Sequence, residues 1–181
     1  MPVTPGAAAG APVAVPAPVA PPVVTPGAKV APAPAPLPKQ LSAALPKVVL
    51  SFDAPVAVNL NDLFSIQINE AGAANLYSAV FVVTYPKNLE VQTESEGPFL
   101  KQNGIGTKFQ AFNDKKKGEI WLSLIRATGT EGASGNGVLA TVTFKAVAKG
   151  TAPIGVSNPN FTTQAGAPFS VSSPKVTVEV K

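Results

Sequence analysis

Any chemistry in this chain must be done without two of the usual reagents. Its 181 residues include no histidine and no cysteine. A Ser-His-Asp triad, a Cys-His pair, a thiolate zinc site and a His-ligated haem are therefore excluded. What remains is oxygen chemistry. Glu90, Glu94 and Glu96 offer closely spaced carboxylates. On a strand, a spacing of two residues sets Glu94 and Glu96 about 6.5–7 Å apart. That falls within the roughly 6.5–9.5 Å between acid and base in an inverting glycosidase. Such a pair needs a cleft, however, and the strand pattern described below offers a convex surface, so these acids read as solvated charge. Asn113-Asp114 and the Asn59, Asn61, Asp62 group could hold a calcium ion with oxygen donors, but Asx residues in turns usually serve the backbone.

Three other stretches invite a chemical reading. Lys115-Lys116-Lys117 lies between Asn113-Asp114 and Gly118, which is turn chemistry, and reads as a solvated hairpin tip. Gly129 to Gly137 is glycine-rich, but no Gly-Lys-Ser/Thr follows it and no helix opens after it. It reads as a β-loop rather than a phosphate cradle. Asn160-Phe161-Thr162 fits the glycosylation sequon, but that modification usually needs a eukaryotic secretory route. No catalytic residue, cofactor or metal is expected from the sequence.

The elements that must position these residues divide the chain in two. Residues 1–47 hold thirteen of the 20 prolines, and their only charges are Lys29, Lys39 and Lys47. Proline removes N–H donors and fixes φ, so this is expected to be a disordered Pro/Ala/Val-rich tail. Ala31 to Pro36 favours polyproline II, and the whole tail could reach on the order of 150 Å. A brief helical turn is expected over Lys39–Leu45. The N-terminus lacks a charged region and is broken by Pro2, Pro5, Pro12 and Pro16, unlike a signal peptide. No run of 18 apolar residues suggests a transmembrane helix. A linker with nothing before it suggests a fragment of a longer protein, or one half of a split one. Residues 48–181 are nearly neutral, so the pI of 9.4 is no sign of nucleic-acid binding.

From Val48 onward the apolar period is two. Val48, Leu50 and Phe52 alternate with Val49 and Ser51, and Phe64, Ile66 and Ile68 with Ser65, Gln67 and Asn69. Ile120, Leu122 and Leu124 alternate with Trp121, Ser123 and Ile125. Val142, Phe144 and Ala146 follow, then Ile154 and Val156, then Val176, Val178 and Val180. Turn signals separate these runs. Leu76 to Pro86 is the densest strand pattern, apolar on both faces and stopped by proline. The fold class expected is all-β: an antiparallel β-sandwich of about nine strands over 48–181. Ala79, Phe81, Val83 and Tyr85 should point inward, with Tyr77. The Tyr85 hydroxyl should need a partner at the rim. Gly137 should supply the backbone conformation that opens the next strand.

The order Leu76-Tyr77-Ser78-Ala79-x-Phe81-x-Val83-x-Tyr85-Pro86, then Leu89-Glu90-Val91, Glu96-Gly97-x-Phe99-Leu100 and Gly137-x-Leu139-Ala140-x-Val142-x-Phe144 resembles a cohesin domain. It is most similar to the cohesin-type module of bacterial type II secretion secretins and related surface proteins. The resemblance implies a jelly-roll sandwich and a non-catalytic module that binds a protein through one sheet face, built from the third, fifth, sixth and eighth strands. It places that face on Ser78, Val80, Val82 and Thr84, on Gln110 and Phe112, and on Trp121, Ser123, Ile125 and Arg126. Cellulosomal cohesins carry polar residues where Ser78 and Val80 stand. Val80 cannot make those hydrogen bonds, which implies a protein partner other than an ordinary dockerin. The resemblance also implies export, to the periplasm, the outer membrane or the cell surface. Two alternatives are a carbohydrate-binding module that takes polysaccharide on Trp121, and a structural subunit completed by strand addition.

Overall fold

The computed structural model describes residues 45–181. The expectations for the tail, including polyproline II at Ala31–Pro36 and nearly all of the Lys39–Leu45 turn, lie outside them. Ten strands form: β1 (Lys47–Asp53), β2 (Ala57–Val58), β3 (Leu63–Thr84), β4 (Leu89–Glu96), β5 (Thr107–Asp114), β6 (Glu119–Arg126), β7 (Ala133–Ala146), β8 (Gly150–Thr163), β9 (Ser170–Val171) and β10 (Lys175–Val180). A short 3-10 segment, Phe99–Gly104, joins β4 to β5. No helix among the described residues is long and apolar enough to cross a membrane.

The fold turns on β3. Phe64–Ile68 and Leu76–Thr84, separate runs in the sequence, belong to one strand of 22 residues. Its first half pairs with β1 and β7, and its second half with β6 and β8. The strand passes from one layer of the sandwich to the other through register shifts between Ile68 and Leu76. Gly72 and Asn75 take positive φ in this stretch, a conformation glycine and asparagine accept more readily than other residues. One layer then reads β9-β1-β3-β7-β4, and the other β2-β10-β8-β3-β6-β5.

The period-two residues fill the space between the layers. Phe64, Ile66, Ile68, Ala79, Phe81, Val83, Tyr85, Ile120, Leu122, Leu124, Val142, Phe144, Val156 and Val178 are all buried there. Aromatic rings meet across it, Phe64 with Phe144 and Phe81 with Phe161, at centroid separations of 5.8 and 5.9 Å. The Tyr85 hydroxyl finds its rim partner, donating to Asn113 Oδ1 at 2.7 Å. Tyr77, expected inward, is only half-buried and lies outside the core cluster. It is the extra residue of a bulge between Leu76 and Ser78, so it drops out of the inward alternation.

Gly137 also has another role than the one expected. It lies within β7, and a Cβ there would stand 2.9 Å from the Phe99 ring. The glycine lets the 3-10 segment press its buried Phe99 onto the sheet. Gly97 is fixed similarly, because a Cβ there would collide with the Val138 carbonyl.

Candidate functional site

The turn chemistry explains most of the polar clusters. Asp62 Oδ2 accepts the Asn59 backbone and side-chain N–H groups, both at 3.0 Å. Asp114 Oδ1 accepts the Lys116 and Lys117 amides at 3.1 and 3.2 Å. Both Asx groups thus hold their own turns, and the three lysines stand at the exposed β5–β6 hairpin tip. Among the described residues, no group of three His, Cys, Asp or Glu side chains could hold a metal ion. Two of the three glutamates of β4 pair with lysines: Glu90 meets Lys115 at 3.0 Å, and Glu96 meets Lys101 at 2.8 Å. Glu96 departs from the solvated reading, since its side chain is only 6% exposed.

The outward side of the β8-β3-β6-β5 sheet has a different character. The strand register sets Ser78 beside Ile125, Val80 beside Ser123 and Val82 beside Trp121. Across the next seam, Gln110 pairs with Ser123 and Phe112 with Trp121. These residues share one face because each run keeps the period of two. Phe112 is 66% exposed and Trp121 47%, so two exposed aromatic residues are cross-strand neighbours toward the hairpin end of β5 and β6. Val80, Gln110, Phe112, Trp121 and Ser123 line a shallow groove of about 310 Å³. Ile125 and Thr84 are half-buried at either end of the face.

Two of the residues assigned to this face do not serve it. Val82 points outward, between inward-facing Phe81 and Val83, but it is only 2% exposed and lies outside the core cluster. It sits on a central strand between Trp121 and Ser157, and its neighbours close over it. It supports the patch from below and offers no contact area. Arg126 points the other way. It continues the inward series Ile120, Leu122, Leu124 and is 3% exposed. Its Nη1 donates to the Leu100 carbonyl at 2.7 Å and its Nη2 to the Gln102 carbonyl at 3.4 Å. A buried guanidinium is tolerable where such acceptors face it. Arg126 therefore anchors the 3-10 segment and lies off the outer face to which it was assigned.

The structure adds residues that the sequence reading left out. On β8, Asn160 lies beside Val80 and Thr162 beside Ser78, so a polar strip borders the aromatic groove. The alternation around buried Phe161 carries this signal, though the same three residues look like a modification sequon. On β5, Lys108 lies beside Ile125. Inside the sandwich, Glu70 is 2% exposed, and neither carboxylate oxygen has a hydrogen-bond partner. Burial pushes its pKa from 4.5 up to about 7; the nearby Ala73 backbone acts in the opposite direction without reaching hydrogen-bond geometry. Burial likewise raises the Tyr85 phenol above its usual value, against the hydrogen bond to Asn113.

A family model described as the cohesin domain matches residues 49–178. No curated protein matches the chain at a significant level. Among solved structures, the chain is similar to a non-cellulosomal cohesin from the archaeon Archaeoglobus fulgidus, with 17% identity and a TM-score of 0.62, covering 75% of this chain and 91% of the other. It is also similar to the sixth cohesin of Acetivibrio cellulolyticus scaffoldin B, solved in complex with a Cel5 dockerin, with 22% identity, a TM-score of 0.62, and 75% and 99% coverage. A third is the cohesin module of a Clostridium perfringens family 33 glycoside hydrolase, with 11% identity, a TM-score of 0.59, and 76% and 98% coverage. At these identities the structural likeness is one of fold.

Proposed function

The chain belongs to the cohesin domain family, and from that premise we propose that it is a non-catalytic module that binds a protein partner through the outer face of the β8-β3-β6-β5 sheet. One observation carries this reading: Phe112 and Trp121 stand adjacent and exposed over the groove. An aromatic anchor ringed by polar groups such as Gln110, Ser123 and Asn160 is the composition of a protein interface. Burying two such rings would contribute several kcal/mol, at about 25 cal/mol per Å² of apolar surface. The dockerin bound by the scaffoldin cohesin is the first partner class to test. Val80, where polar contacts would be needed, favours another protein partner.

The test compares the full chain with the variants Trp121→Ala and Phe112→Ala. Calorimetric titration against a panel of dockerins comes first, followed by affinity capture from the native secretome with identification by mass spectrometry. Each substitution should lower affinity for the captured partner by about tenfold or more. A partner that binds both variants as well as it binds the parent chain would place the interface elsewhere. In a second reading, the adjacent rings of Trp121 and Phe112 stack on sugars. Glycan-array binding lost on Trp121→Ala would establish that reading.

Export to the periplasm, outer membrane or cell surface of a bacterium, in a secretion-system setting, remains part of the proposal and rests on the resemblance of the Leu76–Pro86 region. Fractionation of the native host with an antibody to residues 48–181 tests it, and recovery in the cytoplasm would refute it.

A further inference from the structure

Sheet edges expose unpaired N–H and C=O groups, and proteins normally blunt them with short strands, bulges or charge. Three edges here are blunted. β2 and β9 are two residues long. β4 carries Glu90, Glu94 and Glu96 and a register break between Val91 and Thr93. The fourth edge is β5, eight residues in unbroken register with β6, without proline or bulge. Among the described residues nothing pairs with its other side. Gln110, Ala111 and Phe112 are all exposed. Ala111 has the inward parity of Phe109 and Asn113, so its exposure means that the opposite layer stops short of this edge.

The backbone polarity of β5 can be read from the ladder. The Ala127 amide donates to the Gly106 carbonyl at 2.9 Å, in the same register as the strand pairs. Residues 106, 108, 110, 112 and 114 therefore turn their backbone groups toward β6. Phe109, Ala111 and Asn113 turn theirs outward, away from any partner.

We propose that β5 pairs antiparallel with β5 of a second copy of this chain, with the two-fold axis at Ala111. Charge chooses the register. Centring on Ala111 sets Lys108 opposite Asp114 of the other copy, twice by symmetry. Centring on Gln110 instead sets Lys108 opposite Phe112, and centring on Phe109 sets it opposite Gln110. Asp114 can accept this contact, because its turn is held by Oδ1 while Oδ2 lies 4.0 Å from Lys117. In this register Phe109, Ala111 and Asn113 exchange about six backbone hydrogen bonds with the second copy. Small Ala111 admits close approach at the axis, and exposed Phe112 is covered by Gln110 of the other copy. The outer sheets of the two copies become one continuous sheet. The pairing rests on the β5 backbone edge, and it shares Gln110 and Phe112 with the groove.

Sedimentation velocity on the full chain, over about a hundredfold range of concentration, tests it. The parent chain should show a monomer–dimer equilibrium. Ala111→Pro removes an outward N–H at an edge position that tolerates proline, and should weaken the dimer by about tenfold or more. Because the chain lacks cysteine, Ala111→Cys provides a second readout. Opposed Cα atoms at the axis would lie about 5.5 Å apart, within disulfide range. Mild oxidation should then link the copies. Lys108→Cys should not link, since the two copies of residue 108 would lie about 20 Å apart. If Ala111→Pro fails to fold, the cysteine pair decides alone. A chain that is monomeric throughout, equal cross-linking by both cysteines, or a dimer that survives Ala111→Pro but is lost on Trp121→Ala would each overturn the pairing.

Discussion

Glu70 gives the sharpest quantitative test of the interior. Its carboxyl is buried between the layers, on a strand where Leu50 and Gly137 are its cross-strand neighbours. The folded-state pKa is pushed up to about 7 from 4.5. A raised carboxyl pKa means that the native state holds its proton longer than the unfolded chain does. Stability is therefore fully present below about pH 4.5 and is lost as pH rises through about 7. The loss begins above about pH 4.5 and amounts to roughly 3 kcal/mol at pH 7 and above. Glu70→Gln keeps the size and removes the ionisation. Urea denaturation followed by far-ultraviolet circular dichroism, at intervals from about pH 4.5 to about pH 8, reads the difference between the two proteins. The variant should match the parent at the acid end and exceed it by about 3 kcal/mol at the alkaline end. Subtraction cancels every other titrating group. A difference that stays flat across the window would refute the reasoning, as would one that favours the parent chain at high pH.

Two other predictions concern the 3-10 segment. Gly137→Ala should cost about 1–3 kcal/mol by overpacking against Phe99. Gly97→Ala should cost more, because its clash is with the backbone of Val138, which cannot rotate away. Chemical denaturation ranks the two, and the reverse order would contradict the packing described. Arg126→Leu leaves the Leu100 and Gln102 carbonyls without their donor and should cost about 1.5–3 kcal/mol. Its affinity for any groove ligand should be unchanged, and a selective loss of binding without loss of stability would return Arg126 to the interface.

Local pattern by itself determines a good deal of this fold. Alternation alone separates Ile120, Leu122 and Leu124 from Trp121, Ser123 and Ile125, because a strand's side chains must point to opposite sides. The same rule already places Arg126 with the inward set, and assigning it to the face went against its own parity. The alternation that starts at Phe64 also continues one step past Ile68, to Glu70. Asn113 to Gly118 reads as a turn from its Asx and glycine content, and Tyr85 as a rim residue from its hydroxyl. All of these are short-range matters, decided by residues within a few positions of one another.

What the chain could not reveal along its length depends on which segments meet. That Leu63–Thr84 is one strand shared by two layers depends on pairing with β1, β6, β7 and β8, none of them adjacent in sequence. Val82 is outward yet covered because Trp121 and Ser157 arrive on either side of it. Gly137 looks like a turn residue until Phe99, nearly forty positions away, needs its space. The groove exists only because Phe112 and Trp121 fall opposite each other across the β5–β6 seam. Periodicity fixes which side of a strand a residue faces, but exposure on that side is a property of the neighbours, and only the tertiary structure supplies them.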